Sequence, residues 1–304
     1  MGIILNFHEV HDPLWLENII CFLKKEYNPV PMSELISLYN DRSNLKNICH
    51  LTVDDGDRSF YNEIYPVLKK HKMPATIFVS PDAAVNQVNF WFQEIAGYEN
   101  QNLLKIISEV INIKVNDIKD FRLIDIFTCL TINLIWEIIN RYQKKYNLGK
   151  KPCQNMCISE LKDVENSRLI TIGAHTLRHP ILANEEMSVS KNEITLSITG
   201  LADVLGHEIN CFAYPNGEPV LDFGQREMDI LKDNGCTCAF STVSGNFNLR
   251  SNLLNMPRYG LLSGDSTSYL KTKLFFGAHW NKIMKLKPGN EFASRKALAK
   301  LMRK

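Results

Sequence analysis

Leu51-Thr52-Val53-Asp54-Asp55-Gly56 is a short apolar run that stops at two adjacent carboxylates and a glycine. Side-by-side acids at a strand end repel each other, and they are stable there only beside positive charge. A divalent cation meets that need, and His175-Thr176-Leu177-Arg178-His179 offers further ligands. Gly173 before this segment and Pro180 after it argue for a strand-to-loop junction. Each feature has a plain alternative: Asp-Gly also makes helix caps and turns, and two histidines also occur as hydrogen-bonded polar residues. Together they give two imidazoles and one carboxylate, a catalytic-type donor set with positions left open. The acid left off the cation could act as a base toward water. The reading is a metal-dependent hydrolase.

Working outward, residues 3–8 and 48–53 read as buried strands. Apolar spacing predicts helices over 14–25 and over 30–38, the second capped by Ser33. Phe60, Ile64, Val67 and Leu68 form a helical stripe, and 75–79 is a third strand. Further strands are expected over 169–174, 209–214 and 237–242, with a short strand or loop over 255–262. Helices are expected over 185–205 and 223–234, the latter closed by Gly235. Alternation of apolar strands with helices argues for a parallel α/β sheet or barrel. Residues 82–160 break the pattern with helical periodicity and with aromatics at Trp91, Phe92, Phe121, Phe127 and Trp136. They read as a helical insertion over one end of the sheet, either a cap that shapes substrate choice or a structural excursion.

The chain has 304 residues, 45% apolar and 22% charged, which is an ordinary globular composition. A net charge of +2 excludes a general nucleic-acid role. The first residues, MGIILNFHEVHD, lack a basic lead, and no apolar stretch reaches the roughly 18 residues that span a bilayer. A cytoplasmic setting is expected, with the eight cysteines reduced and mostly buried. Cys153 and Cys157 have a metal-like spacing, but no second pair follows. From 265 onward ten Lys or Arg face only Asp265 and Glu291, with Phe275, Phe276 and Trp280 interspersed. Such a tail suits either an anionic membrane surface or a solvated, frayed helix.

In α/β folds ligands bind at the carboxyl ends of strands, and His8, Asp54, Asp55, His175 and Tyr214 all fall at such ends. LTVDDG and AHTLRH together resemble the polysaccharide deacetylases of carbohydrate esterase family four, which share the NodB homology domain. MPATIFV and CFAYPNG are also similar to family segments. The resemblance covers residues 3–81 and 165–262. It implies a deformed (β/α) barrel of the NodB type with a helical insertion, a catalytic domain over 1–264 and a basic tail over 265–304. It implies metal-dependent removal of an N-acetyl group from an amino sugar in a glycan or its precursor. Asp55, His175 and His179 would hold the metal, zinc first, with cobalt, nickel or iron also suited. Asp54 would be the base, and the Tyr214 main-chain N–H would hold the oxyanion. A deacylase of non-sugar amides and a non-catalytic glycan binder remain the alternatives.

The departures are specific. Phe212 stands where the family's third motif carries the arginine that orients the base, and Arg258 in MPRYGL is the replacement candidate. The late Leu-x-His motif is not evident. IILNFHEV is similar to the N-terminal stretch of the permuted poly-N-acetylglucosamine deacetylase branch, where the early histidine is the acid. That role falls to His8, with His11 as the spare. Asp57 occupies a position that is often aromatic, and Asn216 and Gly217 would shape the turn under the acyl group.

Overall fold

The computed structural model of the chain describes residues 1–287 and 289–302. Its strands are β1 (Ile3–Phe7), β2 (Asn28–Pro29), β3 (Ile48–Val53), β4 (Ala75–Val79), β5 (Ile170–Ala174), β6 (Cys211–Ala213), β7 (Cys238–Phe240) and β8 (Tyr259–Gly260). They form one sheet in the order β7-β6-β5-β4-β3-β1-β8, with β2 paired to β3. Every pairing between named strands is parallel. The sheet curls until its edges approach, and Phe240 bridges to Met256 just before β8. The architecture is a deformed (β/α) barrel.

Side chains alternate between the two faces of this curl. Leu5, Leu51, Ile77 and Phe212 point into the larger apolar cluster, packed against helices such as Pro13–Glu26 and Met187–Leu205. Ile4, Phe78, Cys211 and Phe240 point into a second cluster, which Met32 and Leu35 join. Burial on both faces is why these strands are continuous apolar runs. Gly173 is required by close approach, since a Cβ there would meet the Phe78 ring at 2.5 Å.

The second face also carries polar groups. His50 is fully buried, its Nδ1 on the Val30 carbonyl at 2.8 Å and its Nε2 on Thr76 Oγ1 at 2.9 Å. Burial lowers its pKa from 6.5 to about 4, although the Val30 carbonyl opposes the shift. The unfolded chain therefore takes up a proton first as pH falls. Stability is full above the unfolded pKa and declines from pH 6.5 toward 4, by up to about 1.4 kcal/mol per pH unit. Urea midpoints measured in chelator across this range should show that His50→Gln removes this part of the slope.

Several expectations shift at element ends. The second helix is Met32–Asn40, entered through Pro31, so Ser33 lies inside it and caps nothing. Val30 instead donates its N–H to Cys49, continuing the strand pairing. The stripe after the Asp pair begins as a π-turn, Phe60–Ile64, before the α-helix Tyr65–His71. Pro66 has no N–H to give to a regular ladder there. The expected strand over 255–262 contracts to Tyr259–Gly260. Of the eight free cysteines, four are buried, and Cys21 is exposed.

Within 82–160, helices such as Asn100–Ile111 and Ile132–Lys145 pack on a core of their own that includes Trp91, Ile107, Phe127 and Ile139. The described part of the basic tail is docked on the rest of the chain. It forms helices Thr267–Phe276, His279–Lys285 and Glu291–Met302. Leu298 of the last helix enters the insertion's core. Arg295, 3% exposed, reaches Asp222 Oδ1 at 2.7 Å and donates to the Thr128 carbonyl at 3.1 Å. Phe275 stays 85% exposed. No helix of the described residues is long and apolar enough to cross a membrane.

Candidate active site

Asp54 and Asp55 follow β3 directly. Asp55 has φ +73° and Gly56 has φ +73°, so the chain reverses sharply and turns the two carboxylates apart. A Cβ on Gly56 would lie 2.8 Å from Val79 Cγ1, which reserves this corner for glycine. His175 follows β5, the second strand along from β3, and donates from Nδ1 to the Ala213 carbonyl at 2.8 Å. That bond fixes the tautomer and turns the Nε2 lone pair toward Asp55. His175 Nε2 and His179 Nε2 each lie 3.3 Å from Asp55 Oδ1. All three residues are buried, and their donor atoms lie within 4.8 Å of one another.

Asp55 Oδ1 is buried without a hydrogen-bond partner among the described residues. A buried carboxylate oxygen facing two imidazole nitrogens calls for a cation. Bonds of about 2.0–2.1 Å from a tetrahedral zinc put neighbouring donors roughly 3.3 Å apart, so the residues fit a divalent ion. Burial favours a neutral Asp55, but the imidazoles of His175 and His179 hold its pKa well below the usual value.

Asp54 sits beside this cluster and takes no part in it. Arg258, fully buried, grips it with two bonds: Nη1 to Oδ1 at 2.7 Å and Nη2 to Oδ2 at 2.9 Å. The same guanidinium donates to the Ser241 carbonyl and to Thr52 Oγ1. Arg258 is therefore not a surface strand-end residue. Burial pushes the Asp54 pKa up, while Arg258 and His175 more than offset that and hold it below the usual carboxylate value. His8, just past β1, places Nε2 4.0 Å from Asp54 Oδ2 with its side chain 49% exposed.

Of these groups, His8 and Asp55 line a cavity of about 570 Å³, together with Asp57, Phe92, Gln154 and Leu262. Phe92 and Gln154 belong to the insertion, which thus forms one wall of the cavity. Phe90 and Phe92 also pack on the His179 ring, and Trp91 Nε1 donates to the His179 carbonyl at 2.9 Å. The sequence marks Trp91 and Phe92 as aromatics of the insertion, but it does not mark Phe90, and nothing in it links any of them to a histidine. His11 lies on the surface, 3.5 Å from Glu9. Asp57 accepts the Ser59 N–H at 2.8 Å. Asn216 and Gly217 both have positive φ in the turn after β6, and Asn216 donates to Asp222. Cys157 lies at the start of helix Ile158–Asn166, and Cys153 contacts the Val88 carbonyl.

Tyr214 requires a correction. Its N–H donates to the Phe240 carbonyl at 3.2 Å, so the amide expected to hold an oxyanion is committed to the sheet. Its hydroxyl donates to the Leu254 carbonyl, and its ring stacks on Phe223 with centroids 3.6 Å apart. The register of β6 on β7 decides this, which the residue type does not reveal.

Residues 41–239 match the sequence model of the Polysaccharide deacetylase family, about two thirds of the chain. The chain belongs to the polysaccharide deacetylase family. His8 and Arg258 lie outside the matched range and reach the site through β1 and β8. No curated protein matches the chain. Among solved structures it is similar to the Streptococcus pyogenes deacetylase PplD in complex with acetate, at TM-score 0.60 and 17% identity over 89% of this chain and 96% of that one. It is also similar to IcaB from Ammonifex degensii, at TM-score 0.60 and 16% identity over 90% and 96% of the two chains. A de-N-acetylase from Aggregatibacter actinomycetemcomitans gives TM-score 0.56 and 18% identity over 90% and 99%. At such identities these likenesses show a shared fold.

Proposed function

We propose that the chain hydrolyses the N-acetyl amide of an amino sugar in a glycan or glycan precursor, with a divalent cation, zinc first among the candidates. The observation that carries this reading is the buried Asp55, His175 and His179 cluster beside a carboxylate held apart by Arg258. Family membership and the acetate complex of the similar PplD structure support the substrate class. A cation on the three ligands supplies Lewis acidity, lowering the pKa of a water and offsetting charge on the acyl oxygen.

The residues of the chain do the rest. Asp54 takes a proton from the water as its oxygen bonds to the acyl carbon. Arg258 keeps Asp54 ionised and aimed by occupying both of its oxygens from the buried side. His8, half exposed at the cavity, delivers a proton to the amine as the carbon–nitrogen bond breaks. Acetate and a free amine result. The Arg258–Asp54 pair supplies what the altered third motif lacks, which counts against a non-catalytic glycan binder.

Acetate release from a panel of N-acetylated sugars and their carriers tests the reading. Turnover should vanish in chelator and return with zinc, and sugar-free amides should be inert. Turnover of the sugar-free amides alone would overturn the substrate class. For His8→Ala, amide cleavage should slow by about 10²–10⁴-fold. Cleavage of an activated ester should slow far less, since its leaving group needs no proton. Equal losses on amide and ester would remove the acid role from His8.

A further inference from the structure

Glu193 lies on helix Met187–Leu205 with its side chain 1% exposed. A buried carboxylate is costly unless its oxygens are occupied, and these are. One oxygen accepts the main-chain N–H of Leu177 at 3.1 Å and of Arg178 at 3.0 Å. The other accepts Arg178 Nε–H at 2.7 Å. Those two amides are the inner part of the segment that joins His175 to His179. Glu193 therefore grips the connector between two imidazoles that face the same carboxylate oxygen.

The connector needs holding. Bringing both Nε2 atoms to 3.3 Å from Asp55 Oδ1 within five residues forces a tight path. Thr176 has φ +60° and His179 has φ +58°, a region that side chains rarely adopt and β-branched ones least of all. Local bonds help: Thr176 Oγ1 accepts the His179 N–H at 3.1 Å, and Ser80 Oγ donates to the Leu177 carbonyl. A charged acceptor aimed at two consecutive amides is stronger than either.

We propose that Glu193 is a positioning residue for the cation site, pinning amides 177 and 178 so that His175 and His179 stay at the separation one ion requires. The proposal rests on reading the triad as a cation site. It gives Glu193 no contact with substrate or ion. Its competitor is a structural ion pair between Glu193 and Arg178 that leaves ion affinity untouched.

Zinc affinity of the full chain, stripped with a chelator and titrated against a chromophoric competitor, separates the two. Glu193→Ala should weaken zinc binding by about 10–100-fold. Its circular dichroism without metal should match that of the parent. Glu193→Gln, which keeps an accepting oxygen, should recover part of the affinity. His179→Ala is the control for the underlying reading. If the parent and His179→Ala bind zinc equally, the cation site itself fails and the proposal falls with it. If His179→Ala loses zinc while Glu193→Ala binds like the parent, the proposal is overturned and the cation site stands. Should Glu193→Ala fail to fold, amide hydrogen exchange on the metal-free parent decides. A peptide spanning 176–179 should be protected like the strands, and exchange at the rate of an open loop would overturn the proposal.

Discussion

Asp54→Asn should lower turnover by about 10²–10⁴-fold while zinc binding persists. The amide has the shape of the carboxylate but cannot take a proton from water. Metal should persist because Asp54 is not among the cluster atoms; Asp55 Oδ1 and the two Nε2 atoms are. The variant should also unfold more easily. Arg258 is fully buried, and an amide can accept only one of the two N–H groups now on Asp54. Breaking one side of a buried ion pair destabilises by up to about 3–5 kcal/mol. Turnover, zinc stoichiometry and urea midpoint should be read on one preparation. A folded, zinc-loaded variant that keeps a tenth of the parent's rate would remove Asp54 from the role of base.

Arg258→Met should have the second-largest effect, and its signature is the pH dependence. In the parent, burial would raise the Asp54 pKa, but Arg258 and His175 hold it below its ordinary 3.8. A depressed folded pKa means that the pair stabilises the fold above the unfolded pKa. That contribution is lost as pH falls through the folded value. Removing the guanidinium leaves burial as the dominant effect, so the Asp54 pKa rises and the sign reverses. The penalty then grows as pH rises above about 4. The variant should lose about 3–5 kcal/mol near neutrality and less in acid. Its rate should also fall off at a higher pH than the parent's as the solution is acidified. Arg258→Lys should recover part of both, since a lysine offers charge without the planar fork. Urea midpoints at pH 5 and 8, with kcat/KM profiles, check both effects. An unmoved acid limb would mean that Arg258 does not set the ionisation of Asp54.

The parts of this molecule that sequence reveals are those governed by local pattern. β3, β4 and β5 are buried on both faces, so their residues read as apolar runs before any partner is known. Asp55, His175 and His179 are legible because carboxylate and imidazoles sit at strand ends in a set that suits one ion. His8 is marked by its strand end, but only the resemblance singles it out as an acid; Arg258 is visible only through the resemblance and its gap, because its partner Asp54 lies on a distant strand. The lengths of β6, β7 and β8 escape because pairing, not composition, ends them. Tyr214 misleads for the same reason, its amide being spent on Phe240. Glu193 carries no sequence mark, being one acid on a mixed helix. The docking of the last helix turns on Arg295, whose partner Asp222 lies on a loop no local rule connects to it.

Asp54 and Arg258 are 204 residues apart along the chain, yet each completes the other. During synthesis from the N-terminus, the strand carrying Asp54 exists long before the one carrying its guanidinium. Until β8 settles beside β1, that carboxylate must stay wet, because enclosing it alone is prohibitively unfavourable. Closing the seam of the curled sheet and burying Asp54 against its guanidinium are then the same event.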